Sequence, residues 1–198
     1  MTPDPLIHIR HGETDWNLAR RLQGQQDIPL NETGRGQAGR NGRRLKELLV
    51  ELDRDPLSLD WVASPMARTR ETMEIIRREV GIDPSGYRIE ADLREISFGE
   101  LEGLTYEDVA ELHPHFYQHI LTDKWTFEPP GGESYIQVAN RVAPVLARIT
   151  QPCIIVAHGG VFRAVLSLLR GYHDQDIAEM LVPQDQFFMH LAGQEHWV

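Results

Sequence analysis

Three short apolar runs in this chain each end in groups that can hold a phosphate or move a proton. LIHI, residues 6–9, runs into Arg10, His11 and Gly12. WVA, residues 61–63, runs into Ser64 and, one helical turn on, Arg68. CIIVA, residues 153–157, runs into His158, Gly159 and Gly160. An imidazole near neutral pH can take up a proton or act as a nucleophile. A guanidinium offers a fork of donors that matches phosphate oxygens, and glycine lets backbone amides come close to an anion. Two histidines and two arginines on one rim would therefore suit a phosphate group. Taken singly, a histidine after a strand is more often structural and an arginine is usually a solvated charge. The His-Gly ending occurs at two separate runs, and that repetition favours chemistry.

For these residues to meet, the runs must be neighbouring strands. Each is short, continuously apolar and followed by a helical pattern, the signature of a parallel sheet covered on both faces. The fold class expected is α/β, a three-layer α/β/α sandwich with a mostly parallel central sheet. Ligands in such folds bind beyond the carboxyl ends of the strands, where Arg10, His11, Ser64, Arg68, His158 and Gly159 all fall. After the second run, Ser64 reads as the helix N-cap and Pro65 as the first helical residue, with Ile75 and Ile76 inward and Gly81 as the stop. Arg68 then lies in the first turn, where free N–H groups favour an anion. The third helix closes at Gly171. QFFMHLA, residues 186–192, reads as a further strand. Residues 33–49 form a basic-faced helix with Leu45, Leu48 and Leu49 inward. Thr105 and Asp108 make a capping box, and Pro144 implies a kink or break in the helix begun at Ser134. The stretch 113–133 is irregular and suggests a lid or substrate loop. Neither repeats nor a disordered linker divide residues 1–198, which read as one domain.

Composition narrows the partners. Twenty basic against thirty acidic residues give a net charge of −10, which disfavours nucleic acid and anionic membranes. Any bound anion must be held by a local cluster of cations. The single cysteine, Cys153, sits inside an apolar run and reads as a small buried hydrophobe in a reducing compartment. The N-terminus lacks the basic-then-apolar form of a signal peptide, and no apolar run approaches the ~20 residues needed to span a bilayer. A cytoplasmic monomer or homodimer is expected.

Six longer blocks carry a more specific signal. RHGETDWN (10–17), LQGQQDIPLNETGRGQA (22–38), ASPMARTRET (63–72), LREISFGELEG (93–103), GGES (131–134) and VAHGGVFR (156–163) follow one another in order. Together they resemble the histidine phosphatase superfamily, the phosphoglycerate mutase-like proteins. The resemblance implies that His11 is the nucleophile and becomes a phosphohistidine, and that Glu95 gives the leaving group its proton. Arg10, Arg68 and His158 would hold the transferred phosphoryl group with Asn17 and the Gly159 amide, and Gln23 and Gly24 would join the substrate-binding set. No metal and no cofactor are implied. Elementary electrostatics agrees, since two guanidinium groups beside His11 disfavour its imidazolium form and leave a neutral, nucleophilic ring.

The activity expected is a metal-independent phosphomonoesterase acting on a small phosphorylated metabolite. The alternative is a cofactor-dependent phosphoglycerate mutase, which returns the phosphoryl group to its substrate. EISFGELEG resembles the phosphatase branch, and the 62 residues between Glu95 and His158 are few for the insertion that mutases use to enclose a substrate. Residues 18–30 and 113–133 should build the pocket beyond the phosphate, and neither segment names the substrate. A non-catalytic phosphopeptide or metabolite binder would not need both His11 and Glu95. Two other motifs mislead. GRGQAG, residues 34–39, matches G-x-G-x-x-G but follows no strand, so no nicotinamide or flavin site is expected. His113, His115 and His119 lack the intervening glutamate of a zinc helix and read as a surface or lid cluster.

Overall fold

The strands expected from the apolar runs form one sheet. A computed structural model describes residues 4–173 and 175–198; residues 1–3, the start of the N-terminal stretch considered above, lie outside it. The strands are β1 (Leu6–Arg10), β2 (Asp60–Ala63), β3 (Arg88–Ile89), β4 (Cys153–Ala157), β5 (Phe188–Leu191) and β6 (Gln194–Trp197). Their order across the sheet is β3-β2-β4-β1-β5-β6. β1, β2, β3 and β4 pair in parallel, while β5 runs antiparallel to β1 and β6 to β5. The helices are α1 (Asp15–Leu18), α2 (Glu32–Glu51), α3 (Ala67–Val80), α4 (Tyr106–Leu112), α5 (Pro114–Thr122), α6 (Tyr135–Arg148), α7 (Gly159–Arg170) and α8 (Gln175–Glu179).

Strand alternation distributes the core between two layers. Ile7, Ile9, Ile154 and Val156 pack with Leu45, Leu49, Met73 and Ile76 of α2 and α3. Leu6, Ile155 and Ala157 face the other way, onto Val138 and Val142 of α6 and Val161 and Val165 of α7. The result is the expected helix–sheet–helix sandwich. A third cluster, Leu22, Leu101, Val109, Ile120 and Phe127, supports α4 and α5 above one end of the sheet. Cys153 is fully buried, and burial pushes its thiol well above the ordinary range. No helix among the described residues is long and apolar enough to cross a membrane.

The local signals hold in most places. Gly81 and Gly171 end α3 and α7 in the left-handed conformation, and the Thr105–Asp108 capping box is formed. Three expectations need correction. α3 starts at Ala67 with Met66 as its cap and no side-chain capping bond, so Ser64 is not the N-cap and Pro65 is not the first helical residue. Ser64 is instead engaged by a histidine across the sheet, as described below. The stretch 113–133 is also less irregular than expected, because Pro114 opens α5 at a position where its missing N–H costs nothing. α6 runs through Pro144 without a break, held by the buried face of Tyr135, Val138, Val142 and Val145. GRGQAG lies inside α2, where Gly34 is needed for a different reason: a β-carbon there would stand 2.1 Å from the Glu13 carbonyl oxygen.

His8 is an anomaly within this core. It sits in β1 against the Phe162 ring, and both ring nitrogens are buried without a hydrogen-bond partner among the described residues. Burial lowers its pKa from 6.5 to about 3. The unfolded chain would bind a proton at His8 below about pH 6.5 that the folded chain refuses. Stability is therefore complete above that pH and declines as pH falls toward 3, by up to about 1.4 kcal/mol per unit from this residue. His8→Leu should raise stability at pH 7 by about 1–3 kcal/mol, the usual cost of an unsatisfied buried polar group, and should flatten the decline on the acid side. Denaturant unfolding of both forms at pH 7 and pH 5 measures this; a less stable variant at pH 7 would contradict it.

Candidate active site

The backbone ladder sets the floor of the site. β2, β4 and β1 are adjacent, and the ladder continues one residue past each outer strand. The His11 N–H donates to the Ala157 carbonyl at 3.0 Å, and the Ser64 N–H donates to the Val156 carbonyl at 3.1 Å. His11, Ser64 and His158 thus leave the sheet at one level. The turn after β1 is tight against α2, since a β-carbon on Gly12 would meet the Gly34 carbonyl oxygen at 2.2 Å. The Gly12 amide is tied to Thr72 Oγ1 at 3.2 Å.

His11 is buried, and its partners define its tautomer. Nδ1 lies 2.7 Å from the Gly12 carbonyl oxygen, which can only accept, so Nδ1 carries the proton. Nε2 is left with its lone pair and accepts from Arg68 Nε at 3.3 Å. Burial first, then the charges of Arg68 and Arg10, holds the ring well below its ordinary pKa. It is neutral at pH 7, with one nitrogen free for attack.

Arg68 is completely buried. Its Nη2 donates to the Gly24 carbonyl at 2.9 Å and its Nη1 to the Gln26 carbonyl at 2.7 Å. With its amide oriented to satisfy both ends, Gln23 accepts from Arg68 Nε at 2.7 Å and donates to Thr14 Oγ1 at 2.5 Å. The 22–26 turn therefore aims this guanidinium at His11, and the left-handed Gly24 (φ +52°) helps it bend. Arg10 is anchored by Nη1 to the Val182 carbonyl at 2.6 Å, but its Nε is buried with no partner among the described residues. Burial, then Arg163, lowers its pKa to about 10, so it stays charged at neutral pH. Asn17 Oδ1 accepts from the Thr14 amide at 3.2 Å and from Gln184 at 3.0 Å. That leaves its Nδ2 donor without a protein partner among the described residues.

Glu95 is brought in from the loop before α4. Its Oε1 accepts from the Ile96 amide at 2.9 Å and from the Gly160 amide at 3.0 Å, at the N-terminus of α7. A β-carbon on Gly160 would stand 2.5 Å from that oxygen, so the second glycine of HGG, not the first, is the one this contact requires. His158 is fully buried and stands edge-on to His11, with ring centroids 5.2 Å apart. Its Nε2 lies 2.8 Å from Ser64 Oγ, while Nδ1 is buried and has no partner among the described residues. Buried orphaned donors such as Arg10 Nε call for a ligand, because unpaired polar groups are costly.

Beside these residues lies a cavity of about 310 Å³; His158, fully buried, is the one expected site residue that does not line it. The cavity brings together Arg10, His11, Asn17, Gln23, Gly24, Arg68, Glu95 and Gly159 from the expected set. It also exposes residues that the sequence did not single out. Arg21, Lys124 and Arg163 bring further positive charge, Phe98, Tyr106 and Tyr135 bring aromatic surface, and Glu179 brings one carboxylate. Arg163 and Phe98 stand in recognisable blocks, and Arg21 and Lys124 fall within 18–30 and 113–133, the segments expected to build this wall; Tyr106, Tyr135 and Glu179 carry no local signal. His113, His115 and His119 do not line this cavity and pack instead on Phe116 or Phe127. Among the described residues, no group of three or more His, Cys, Asp or Glu side chains could hold a metal ion. The arrangement combines a neutral nucleophilic nitrogen, fixed cations, a carboxylate able to serve as acid or base, and a wall of cationic and aromatic side chains.

A family model described as the histidine phosphatase superfamily (branch 1) matches residues 6–187. The chain is 32% identical to phosphoglycerate mutase-like protein 4 of Arabidopsis thaliana over 172 residues, covering 83% of this chain and 70% of that protein. It is 34% identical to a metal-independent phosphoserine phosphatase of Arabidopsis thaliana, covering 81% of this chain and 66% of that one. The native structure of a mycobacterial glucosyl-3-phosphoglycerate phosphatase superposes with a TM-score of 0.79 at 28% identity, covering 94% of this chain and 89% of the other.

Proposed function

Because this chain belongs to the histidine phosphatase superfamily, we propose that it is a metal-independent phosphomonoesterase whose reaction runs through a phosphohistidine on His11, carried by one domain spanning residues 1–198. The observation that carries this reading is the state of His11: its Nδ1–H donates to the Gly12 carbonyl, and Nε2 presents a lone pair beside Arg68. In the first step Nε2 attacks phosphorus, the P–O bond to the alcohol breaks, and Glu95 delivers a proton to the departing oxygen. In the second, Glu95 takes a proton from water, which attacks the phosphohistidine and releases inorganic phosphate. Arg10 and Arg68 neutralise the equatorial oxygens, the role a metal cation would otherwise take, and Asn17 Nδ2 and the Gly159 amide add donors. His158 supplies one more.

Beyond the phosphate cradle, Arg21, Lys124 and Arg163 stand among aromatic side chains with one nearby carboxylate, Glu179. Lys124 makes no ion pair among the described residues and lies 5.4 Å over the Tyr106 ring. Such a wall suits a small phosphorylated metabolite whose alcohol portion is itself anionic. A phosphatase is favoured over a mutase by the FGELEG block and the short segment before His158, which give water access that a mutase must deny its phosphoenzyme.

The acid role can be tested by leaving-group dependence. Glu95→Gln keeps the acceptor oxygen for Gly160 or Ile96 but has no proton to give. Hydrolysis of alkyl phosphates should fall by ~10²–10⁴-fold, while p-nitrophenyl phosphate, whose leaving group hardly needs a proton, should lose far less. Equal losses on both substrates would place the acid elsewhere.

A further inference from the structure

Ser64 is absent from the roles assigned above, yet it is fully buried and its hydroxyl touches the catalytic layer. Its Oγ has two neighbours, His158 Nε2 at 2.8 Å and the Met66 backbone nitrogen at 3.5 Å. The Met66 N–H can only donate to Oγ, so the hydroxyl hydrogen cannot go there. We infer that Ser64 donates its hydroxyl proton to His158 Nε2 and thereby fixes His158 as the Nδ1–H tautomer, a positioning residue that gives the site a donor where phosphate oxygens will lie.

The alternative can be weighed from the same atoms. If His158 Nε2–H donated to Ser64 Oγ, the hydroxyl hydrogen would be buried with no acceptor among the described residues, which forfeits its desolvation. It would also leave Nδ1, which has no partner among the described residues, as a bare lone pair on a ring whose centroid is 5.2 Å from that of His11, where the phosphoryl group is transferred. A phosphate dianion accepts hydrogen bonds and donates none, so a lone pair there would repel it. The ring cannot escape the choice by taking a second proton, because burial, then Arg68, keeps His158 well below its ordinary pKa. Neutral imidazole has one proton, and the partner of one nitrogen decides what the other can do. The Ser64 backbone is itself held in place, since Thr69 Oγ1 donates to its carbonyl at 2.9 Å and its amide continues the sheet ladder. This also explains why Ser64 leaves α3 uncapped.

The inference rests on the phosphatase reading for its consequence in catalysis, but the tautomer is a property of the resting protein and is measurable without turnover. Nitrogen-15 NMR of histidine-labelled wild type at pH 7 should show His158 with a protonated Nδ1 and an unprotonated Nε2. The opposite pattern in the wild type overturns the inference, and no variant is needed to read it. In Ser64→Ala the ring should move toward the Nε2–H form. Affinity for inorganic phosphate and kcat on p-nitrophenyl phosphate should both fall by at least about tenfold, since an oriented donor in such a site contributes roughly 10²–10³. Ser64→Thr, which keeps the hydroxyl, should retain the wild-type tautomer and most of the activity. A Ser64→Ala protein with unchanged tautomer and unchanged phosphate affinity would reduce Ser64 to a packing role. If the wild type binds phosphate through the Nδ1–H tautomer yet hydrolyses no phosphomonoester, the activity reading fails while the tautomer assignment stands.

Discussion

Replacing His11 with alanine is expected to lower turnover of any phosphomonoester by about 10⁶-fold, the scale seen when a covalent nucleophile is removed. No other side chain in the cavity can take its place. His158 has its Nε2 committed to Ser64, and Glu95 is tied to backbone amides at the start of α7. The fold should survive, because His11 contributes its backbone bond to Ala157 whatever its side chain. The smaller side chain would open space at the cavity floor while Gln23 still holds Arg68 Nε, so inorganic phosphate should still bind. Steady-state assay beside a phosphate-binding titration measures both. Activity within a hundredfold of wild type, with binding intact, would remove His11 from the covalent role.

Arg68→Lys should be nearly as damaging despite conserving charge, with a loss of roughly 10³–10⁵, the range ascribed to a single arginine at a phosphoryl-transfer centre. The guanidinium reaches the Gly24 carbonyl, the Gln26 carbonyl and His11 Nε2 from three different nitrogens. An ammonium is one point on a flexible stem and cannot meet these while also facing a phosphate oxygen. Part of the effect would be structural. Arg68 is the largest of the fully buried side chains among the described residues and organises the 22–26 turn, so the lysine variant should also unfold at lower temperature. Comparing kcat/KM with the melting temperature separates the two: a variant with wild-type melting and activity within tenfold would show that charge alone is what the site needs at this position.

The positions of these groups are largely legible in the amino-acid order itself. Short apolar runs ending in Arg-His-Gly, Ser-Pro and His-Gly-Gly imply adjacent parallel strands, and adjacency puts Arg10, His11, Arg68 and His158 on one rim. Helix ends at Gly81 and Gly171 follow from the need for a left-handed residue. What stays hidden depends on partners far away along the chain. Ser64 has every local feature of an N-cap, but His158, ninety-four residues on, claims its hydroxyl. Gly160 is required by Glu95 across sixty-five residues, so nothing local distinguishes it from Gly159. β3 and β6 have only two and four residues, and β6 is exposed throughout, too short and too polar to show a buried period. The cavity wall takes Arg21 and Lys124 from the segments expected to build it, 18–30 and 113–133, but that these side chains reach it, and that Arg163 and Glu179 join them, follows only from tertiary packing.

The central claim is that His11 carries the phosphoryl group and that water removes it. A rapid-quench experiment tests both halves at once. Wild-type protein is mixed with ³²P-labelled p-nitrophenyl phosphate in the presence of unlabelled 3-phosphoglycerate, and the label is followed on protein, inorganic phosphate and phosphoglycerates. The expected result is early label on the peptide containing His11, acid-labile and base-stable, which then passes to inorganic phosphate at the rate of turnover. Turnover with no labelled protein, or label on a different residue, would contradict the phosphohistidine, and label collecting in bisphosphoglycerate rather than phosphate would make the chain a mutase.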